Sequence, residues 1–141
     1  MKNTDLQKLT VEELAKLISP SSEAYLQLQT LNVLRTKNVV GELGEHYAIK
    51  FYNSCSDLPD LELSPPGDRI DAKSINGDRY SIKTRSARKG TTGSFWDPES
   101  IRKNIRTFDY LIIVILDNSY LLDMILQLTW DDFFEFKKHN K

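Results

Sequence analysis

Apolar positions along the chain recur at two periods, one in the first third and another after residue 53. Thr10-Val11-Glu12-Glu13 has the form of a capping box, with Thr10 as the cap and Glu13 reaching back to it. The helix it opens carries Leu14, Leu17 and Ile18 on one face, and Ser19-Pro20-Ser21-Ser22 breaks it. A second helix is predicted over residues 22–35, where Tyr25, Leu28, Leu31 and Leu34 fall at helical spacing. A third is predicted over 39–52, with Val40, Leu43, Tyr47 and Phe51 on one stripe. Gly41 and Gly44 each cost such a helix about 1 kcal/mol relative to alanine. Small residues there suit close packing against a sheet.

After Asn53 the period shortens to two. Leu61-Glu62-Leu63 alternates like a strand and stops at Pro65-Pro66-Gly67. Residues 69–85 read as a hairpin around Asn76-Gly77. A two-residue loop would mix apolar and polar side chains on both faces. A three-residue loop, Ile75-Asn76-Gly77 with glycine in the left-handed region, pairs Arg69 with Lys83, Ile70 with Ile82 and Asp71 with Ser81. One face then collects Ile70, Ala72, Tyr80 and Ile82. The other collects Arg69, Asp71, Lys73, Arg79, Ser81, Lys83 and Arg85. A slip by one residue flips every side chain, so burial of the apolar face selects the second register.

Downstream, residues 86–94 read as a Gly/Ser/Thr/basic loop, and Asp97-Pro98-Glu99 reads as a helix start with Ile101 and Ile105 inward. Residues 110–116 form a continuous apolar run, the pattern of a strand covered on both faces. A further strand is predicted over 120–127. Thr129 caps a last helix with Trp130, Phe133, Phe134 and Phe136. The fold class is α/β: a mixed five-stranded sheet flanked by helices, within residues 1–141. Residues 1–37 form an N-terminal helical extension, 38–128 the core and 129–141 a C-terminal helix.

Composition narrows the setting. The chain has 141 residues, about one domain's worth. Its longest apolar run is far shorter than the roughly 20 residues a spanning helix needs. The single cysteine, Cys55, has no intramolecular disulfide partner, and the N-terminus carries no signal-peptide pattern, so a cytoplasmic setting is expected. The formal net charge of −1 argues against a polyanionic partner when taken whole. Divided along the chain it does not. Residues 1–68 sum to −4, residues 69–106 to +6 and residues 107–141 to −3. A basic middle lies between acidic flanks, and screening makes local charge the quantity a polyanion meets.

Gly41-Glu42-Leu43-Gly44-Glu45 on a helix, Ile70-Asp71 on one strand and Ser81-Ile82-Lys83 on the next form an ordered set. Together they resemble the PD-(D/E)XK nuclease superfamily, which includes restriction endonucleases, junction resolvases and repair nucleases. The resemblance covers about residues 39–128. It implies a restriction endonuclease-like fold and metal-dependent hydrolysis of phosphodiester bonds in DNA, with RNA as the other candidate. Mg²⁺ or Mn²⁺ is the implied cofactor. It needs hard oxygen ligands, keeps several waters and activates one of them. In the family pattern the strand acid ligates metal, which maps to Asp71. The residue between the motif acid and the lysine gives a carbonyl, here Ile82. The lysine, here Lys83, orients the attacking water. A helix carboxylate completes the shell, Glu45 first and Glu42 second. Ser81 stands where the motif has an acid. Some family members with Ser-x-Lys draw the missing carboxylate from a later helix, which makes Asp97 and Glu99 candidates.

Lys73, Arg79, Arg85, Arg88, Lys89, Arg102, Lys103 and Arg106 are the expected phosphate contacts. His46 beside Glu45 reads as a surface histidine, and Phe95 and Trp96 as loop anchors. An alternative reading is a nuclease-fold module whose site has decayed and which binds nucleic acid or serves as a subunit of a larger complex. In either case a homodimer or a partner protein is expected, and no membrane.

Overall fold

The computed structural model describes residues 3–86 and 106–139. The chain divides into two units, residues 1–37 and 38–141.

The first unit holds three short helices: α1 (Asn3–Leu6), α2 (Val11–Ile18) and α3 (Glu23–Thr30). The capping box at Thr10 is formed in both directions, with the Glu13 N–H donating to Thr10 Oγ1 and the Thr10 N–H donating to Glu13 Oε1. Ser22 caps α3 by accepting from the Tyr25 N–H. The helix predicted over 22–35 ends at Thr30, because Asn32 adopts a positive φ of 60° that stops helical propagation. Neither α2 nor α3 contributes a fully buried residue.

The second unit begins with α4 (Val39–Ser54), capped by the Asn38 side chain, which accepts from the Gly41 N–H. Five strands follow in chain order: β1 (Leu61–Leu63), β2 (Ala72–Ser74), β3 (Arg79–Ser86), β4 (Tyr110–Leu116) and β5 (Leu122–Thr129). They form one mixed sheet in the order β1-β2-β3-β4-β5. β3 and β4 are parallel, and the other neighbours are antiparallel. The last helix, α5 (Trp130–His139), is capped by Thr129, whose hydroxyl accepts from the Asp132 N–H. The helix start predicted at Asp97 lies outside the described residues. The strand predicted over 120–127 begins two residues later, because Tyr120 turns at φ 63° before pairing resumes.

Strand alternation sends the two faces of the sheet into two clusters. On the α4 side, Ala72, Tyr80, Ile82, Ile112, Val114 and Leu116 pack with Ala48 and Tyr52. On the other side, Leu111 packs with Phe108, Trp130 and Phe133 of the α5 end. β4 is therefore covered on both faces, as its unbroken apolar run requires. The stripe of α4 that meets the sheet is Gly44, Ala48 and Tyr52. Val40, Leu43 and Tyr47 pack at its margin, whereas Phe51, predicted on that stripe, is exposed. At Gly44, α4 comes close to β3. A Cβ there would lie 1.8 Å from Thr84 Oγ1.

Candidate functional site

The three-residue loop is the one that forms. Ala72 pairs with Tyr80 and Lys73 with Arg79. The Gly77 N–H donates to the Ser74 carbonyl at 2.9 Å, and Gly77 has φ +87°, the left-handed conformation that closes such a turn without a Cβ penalty. The Ser74 hydroxyl accepts from the Asp78 N–H at 3.1 Å and seals the loop.

The ladder does not continue to the pairs expected beyond Ala72. Residues 69–71 are a bend, so Arg69–Lys83, Ile70–Ile82 and Asp71–Ser81 do not pair. The Asp71 N–H donates to the Tyr80 carbonyl at 2.9 Å, while the Asp71 carbonyl accepts from the Ser64 N–H at 2.8 Å on the β1 side. In a regular strand one residue's N–H and C=O point the same way. At Asp71 they point to opposite neighbours, and residues 71 and 72 both lie against Tyr80, as in a β-bulge. The reason is geometric: β1 and β3 each claim one half of the same peptide position.

The bulge aims the Asp71 side chain. Its Oδ2 accepts from the Ile82 N–H at 2.7 Å, supplying β3 with the acceptor that β2 no longer provides. Because Ile82's N–H points to this edge, its carbonyl does as well. Asp71 and the Ile82 carbonyl are therefore brought together at the gap where β2 departs from β3. Ser81 and Lys83 alternate onto the other face, opposite Leu111 and Ile113 of β4, and Ser81 is buried there.

The helix acids stand on the flank of α4 nearest β1. Asn53 on that flank is clamped to β1, donating to the Leu61 carbonyl at 3.1 Å and accepting from the Leu61 N–H at 2.7 Å. Eleven residues make about three turns, so Glu42 lies in line with Asn53. Glu45 lies between that line and the sheet-facing Gly44. Glu42 is buried and Glu45 half-buried. Ring contact of Tyr52 with Tyr80, and the approach of Gly44 to Thr84, make α4 antiparallel to β3. Glu45 therefore falls at the level of Ile82 to Thr84. Lys83 is on the sheet face away from α4.

Among the described residues, no three His, Cys, Asp and Glu side chains form a group able to hold a metal. What the β3 edge does hold is hard oxygen: the Asp71 carboxylate, bound to the Ile82 N–H through Oδ2, and by strand alternation the Ile82 carbonyl. That set fits a Mg²⁺ ion, which is satisfied by one or two carboxylates plus water, and does not fit zinc.

Among the described residues, two of the predicted cations, Arg79 and Arg106, pair with acids on the β4 side of β3. Arg79 opens β3, and its guanidinium binds Asp109 through Nε and a terminal nitrogen, both at 3.3 Å. Arg106 lies 3.9 Å from Asp109 and 3.4 Å from Asp131. Lys73 is exposed on β2, and Arg85 is half-buried near the far end of β3, about 20 Å from Arg79 at strand spacing. Arg88, Lys89, Arg102, Lys103, Asp97, Glu99, Phe95 and Trp96 lie outside the described residues. His46 is half-buried, and desolvation, followed by the charge of Lys50, holds its imidazole below the usual histidine range.

Asp109 is the residue that the sequence reading missed. It accepts from the Arg79 backbone N–H at 2.7 Å, and its own N–H and C=O bond Arg79 and Trp130. The Arg79 hydrogen bonds hold its carboxyl below the usual carboxylate range. A cleft of about 200 Å³ opens beside it, bordered by Arg106, Tyr110, Trp130 and Asp131. The available signal was an acid placed immediately before an apolar run. No family model and no curated protein matches the chain.

Proposed function

We propose that the chain is a Mg²⁺-dependent nuclease of the PD-(D/E)XK type, restriction endonuclease-like in fold, that hydrolyses phosphodiester bonds in DNA. The observation that carries this reading is the Asp71 carboxylate held on the Ile82 N–H, at the strand edge to which the Ile82 carbonyl also points by alternation. The order of elements, a helix followed by three strands and then two more, supports it. Asp71 and Ile82 hold the cation, with Glu45 or Glu42 as the second carboxylate and Asp97 or Glu99 as the replacement for the acid missing at Ser81. A divalent cation bound there supplies a polarised water and offsets charge on the phosphorane-like transition state. Lys83, on its flexible four-carbon stem, reaches the edge from the opposite face and hydrogen-bonds the attacking water. Lys73, Arg79, Arg85, Arg88, Lys89, Arg102, Lys103 and Arg106 are the proposed phosphate contacts, and of these Arg79 and Arg106 also pair with acidic side chains.

The test is nicking of supercoiled plasmid with Mg²⁺ or Mn²⁺ and with EDTA. Asp71→Asn keeps an oxygen for the Ile82 N–H while removing the charge. It and Lys83→Ala are each expected to lower the rate at least about 100-fold. Unchanged cleavage in both variants overturns the assignment.

A second reading rests on Ser81, a buried hydroxyl where the motif places a metal-binding acid. In that reading the module binds nucleic acid without cutting it. It expects DNA binding whose logarithm falls with log salt at a slope of roughly −5 for six phosphate contacts, with no metal-dependent cleavage.

A further inference from the structure

The two outer strands of the sheet are built differently. β1 is three residues long and runs into Ser64-Pro65-Pro66, so it offers almost no edge for pairing. β5 is eight residues long and is paired only with β4 among the described residues. Between Leu122 and Thr129 it contains no proline, no lysine and no arginine, and its one charge is Asp123, at the register shift opposite Ile115 and Leu116. From Met124 to Leu128 none of the usual guards of a strand edge is present. Met124 and Leu126 are 48% and 45% exposed, and Tyr120, Leu121 and Leu122 extend the apolar strip.

We propose that β5 is an interface on which a second copy of this chain pairs, edge to edge and antiparallel. The pairing on the β4 side fixes which backbone groups face outward. The Trp130 N–H donates to the Asp109 carbonyl, and by alternation Leu128, Leu126 and Met124 bond β4, while Gln127 and Ile125 direct their N–H and C=O away from it. A two-fold axis at Leu126 matches these groups, because Ile125 of each copy then meets Gln127 of the other. Even positions meet even positions across the axis. Leu126 meets Leu126, and Met124 meets Leu128. Charge is compatible, since Asp123 meets Thr129 rather than its own copy. At roughly 200 Å² for each large side chain, the half-exposed Met124 and Leu126 amount to about 200 Å² per copy. That is below the share of a standard stable interface, about 800 Å² per partner, so the dimer is a micromolar or weaker one. The proposal is independent of the nuclease reading.

Sedimentation equilibrium of the full chain across roughly 5 to 300 μM tests it. The average mass is expected to climb from 16.3 kDa toward twice that value. Leu126→Lys, at an exposed position where two like charges would meet on the axis, is expected to shift the midpoint at least about tenfold, with the circular dichroism spectrum unchanged. In a Cys55→Ser background, Leu126→Cys is expected to form a disulfide-linked dimer under a mild oxidant, because directly opposed residues of a non-hydrogen-bonded pair are about 4.5 Å apart at Cα. A chain that stays monomeric over the whole range overturns the proposal. So does a dimer that survives Leu126→Lys and fails to cross-link at Leu126, which would locate association on another surface.

Discussion

Replacing Gly44 by alanine tests the seat of α4 on the sheet. In a solvent-facing helix the change stabilises by about 1 kcal/mol, because alanine loses less backbone freedom. Here the added Cβ would lie 1.8 Å from Thr84 Oγ1 and 2.7 Å from both Thr84 Cβ and Cγ2. Ordinary carbon contacts need about 3.5 Å, so the helix must lift by more than about 1 Å or Thr84 must leave its rotamer. Lifting loosens Ala48 and Tyr52, which pack on Tyr80, Ile82 and Ile112. Overpacking of this kind costs about 1–3 kcal/mol beyond the helix gain, so the net expectation is about 2 kcal/mol of destabilisation. Urea unfolding followed by far-ultraviolet circular dichroism reads it as a lower midpoint at unchanged slope. Thr84→Ala removes two of the three clashing atoms, so the double variant should recover at least about 1 kcal/mol of the loss in a mutant cycle. Gly41→Ala is the contrast, since the atoms nearest its Cβ belong to the Asn38 side chain, whose loss as a cap costs about 1 kcal/mol. A neutral or stabilising Gly44→Ala would refute the close approach of helix and strand.

Thr84 Oγ1 is buried without a hydrogen-bond partner among the described residues, so Thr84→Val should raise the urea midpoint, by about 1 kcal/mol of stability, through removal of an unsatisfied hydroxyl. Asp109→Asn keeps an acceptor for the Arg79 N–H but removes the charge, and a loss of about 1 kcal/mol at pH 7 is expected after allowing for solvent screening. Asp109 has a lowered folded pKa, so its contribution is complete above its ordinary value of 3.8 and disappears as pH falls through the folded value. Thermal melts should therefore show the gap between wild type and variant closing below about pH 4, and a gap of constant size would count against the Arg79 bond as its origin.

Local chemistry was legible in the sequence wherever a short stretch determines its own conformation. The capping box at Thr10, the glycine turn at Gly77, the apolar run of β4 and the cap at Thr129 depend on neighbours a few residues away. The three-residue hairpin loop and the register beside it, Ala72 with Tyr80 and Lys73 with Arg79, followed as well, whereas the pairs expected from Arg69 to Asp71 did not form. The close approach behind Gly44 was anticipated from its lack of a side chain, although its partner, Thr84, was not.

Competition between strands is not written in any one segment. Asp71 was expected to pair as an ordinary strand residue, but β1 takes its carbonyl and β3 its N–H, and the resulting bulge turns the carboxylate onto Ile82. Arg79 and Arg106 read as available cations until the fold brought Asp109, thirty residues from Arg79 in the chain, into contact with both. Helix caps, the apolar run of β4 and the alternation along β3 could be read along the chain, because they arise from neighbouring residues and from the need to bury one face. Which carboxylate meets which backbone group emerges in the folded chain alone, since strands distant in sequence compete for the same hydrogen-bonding positions.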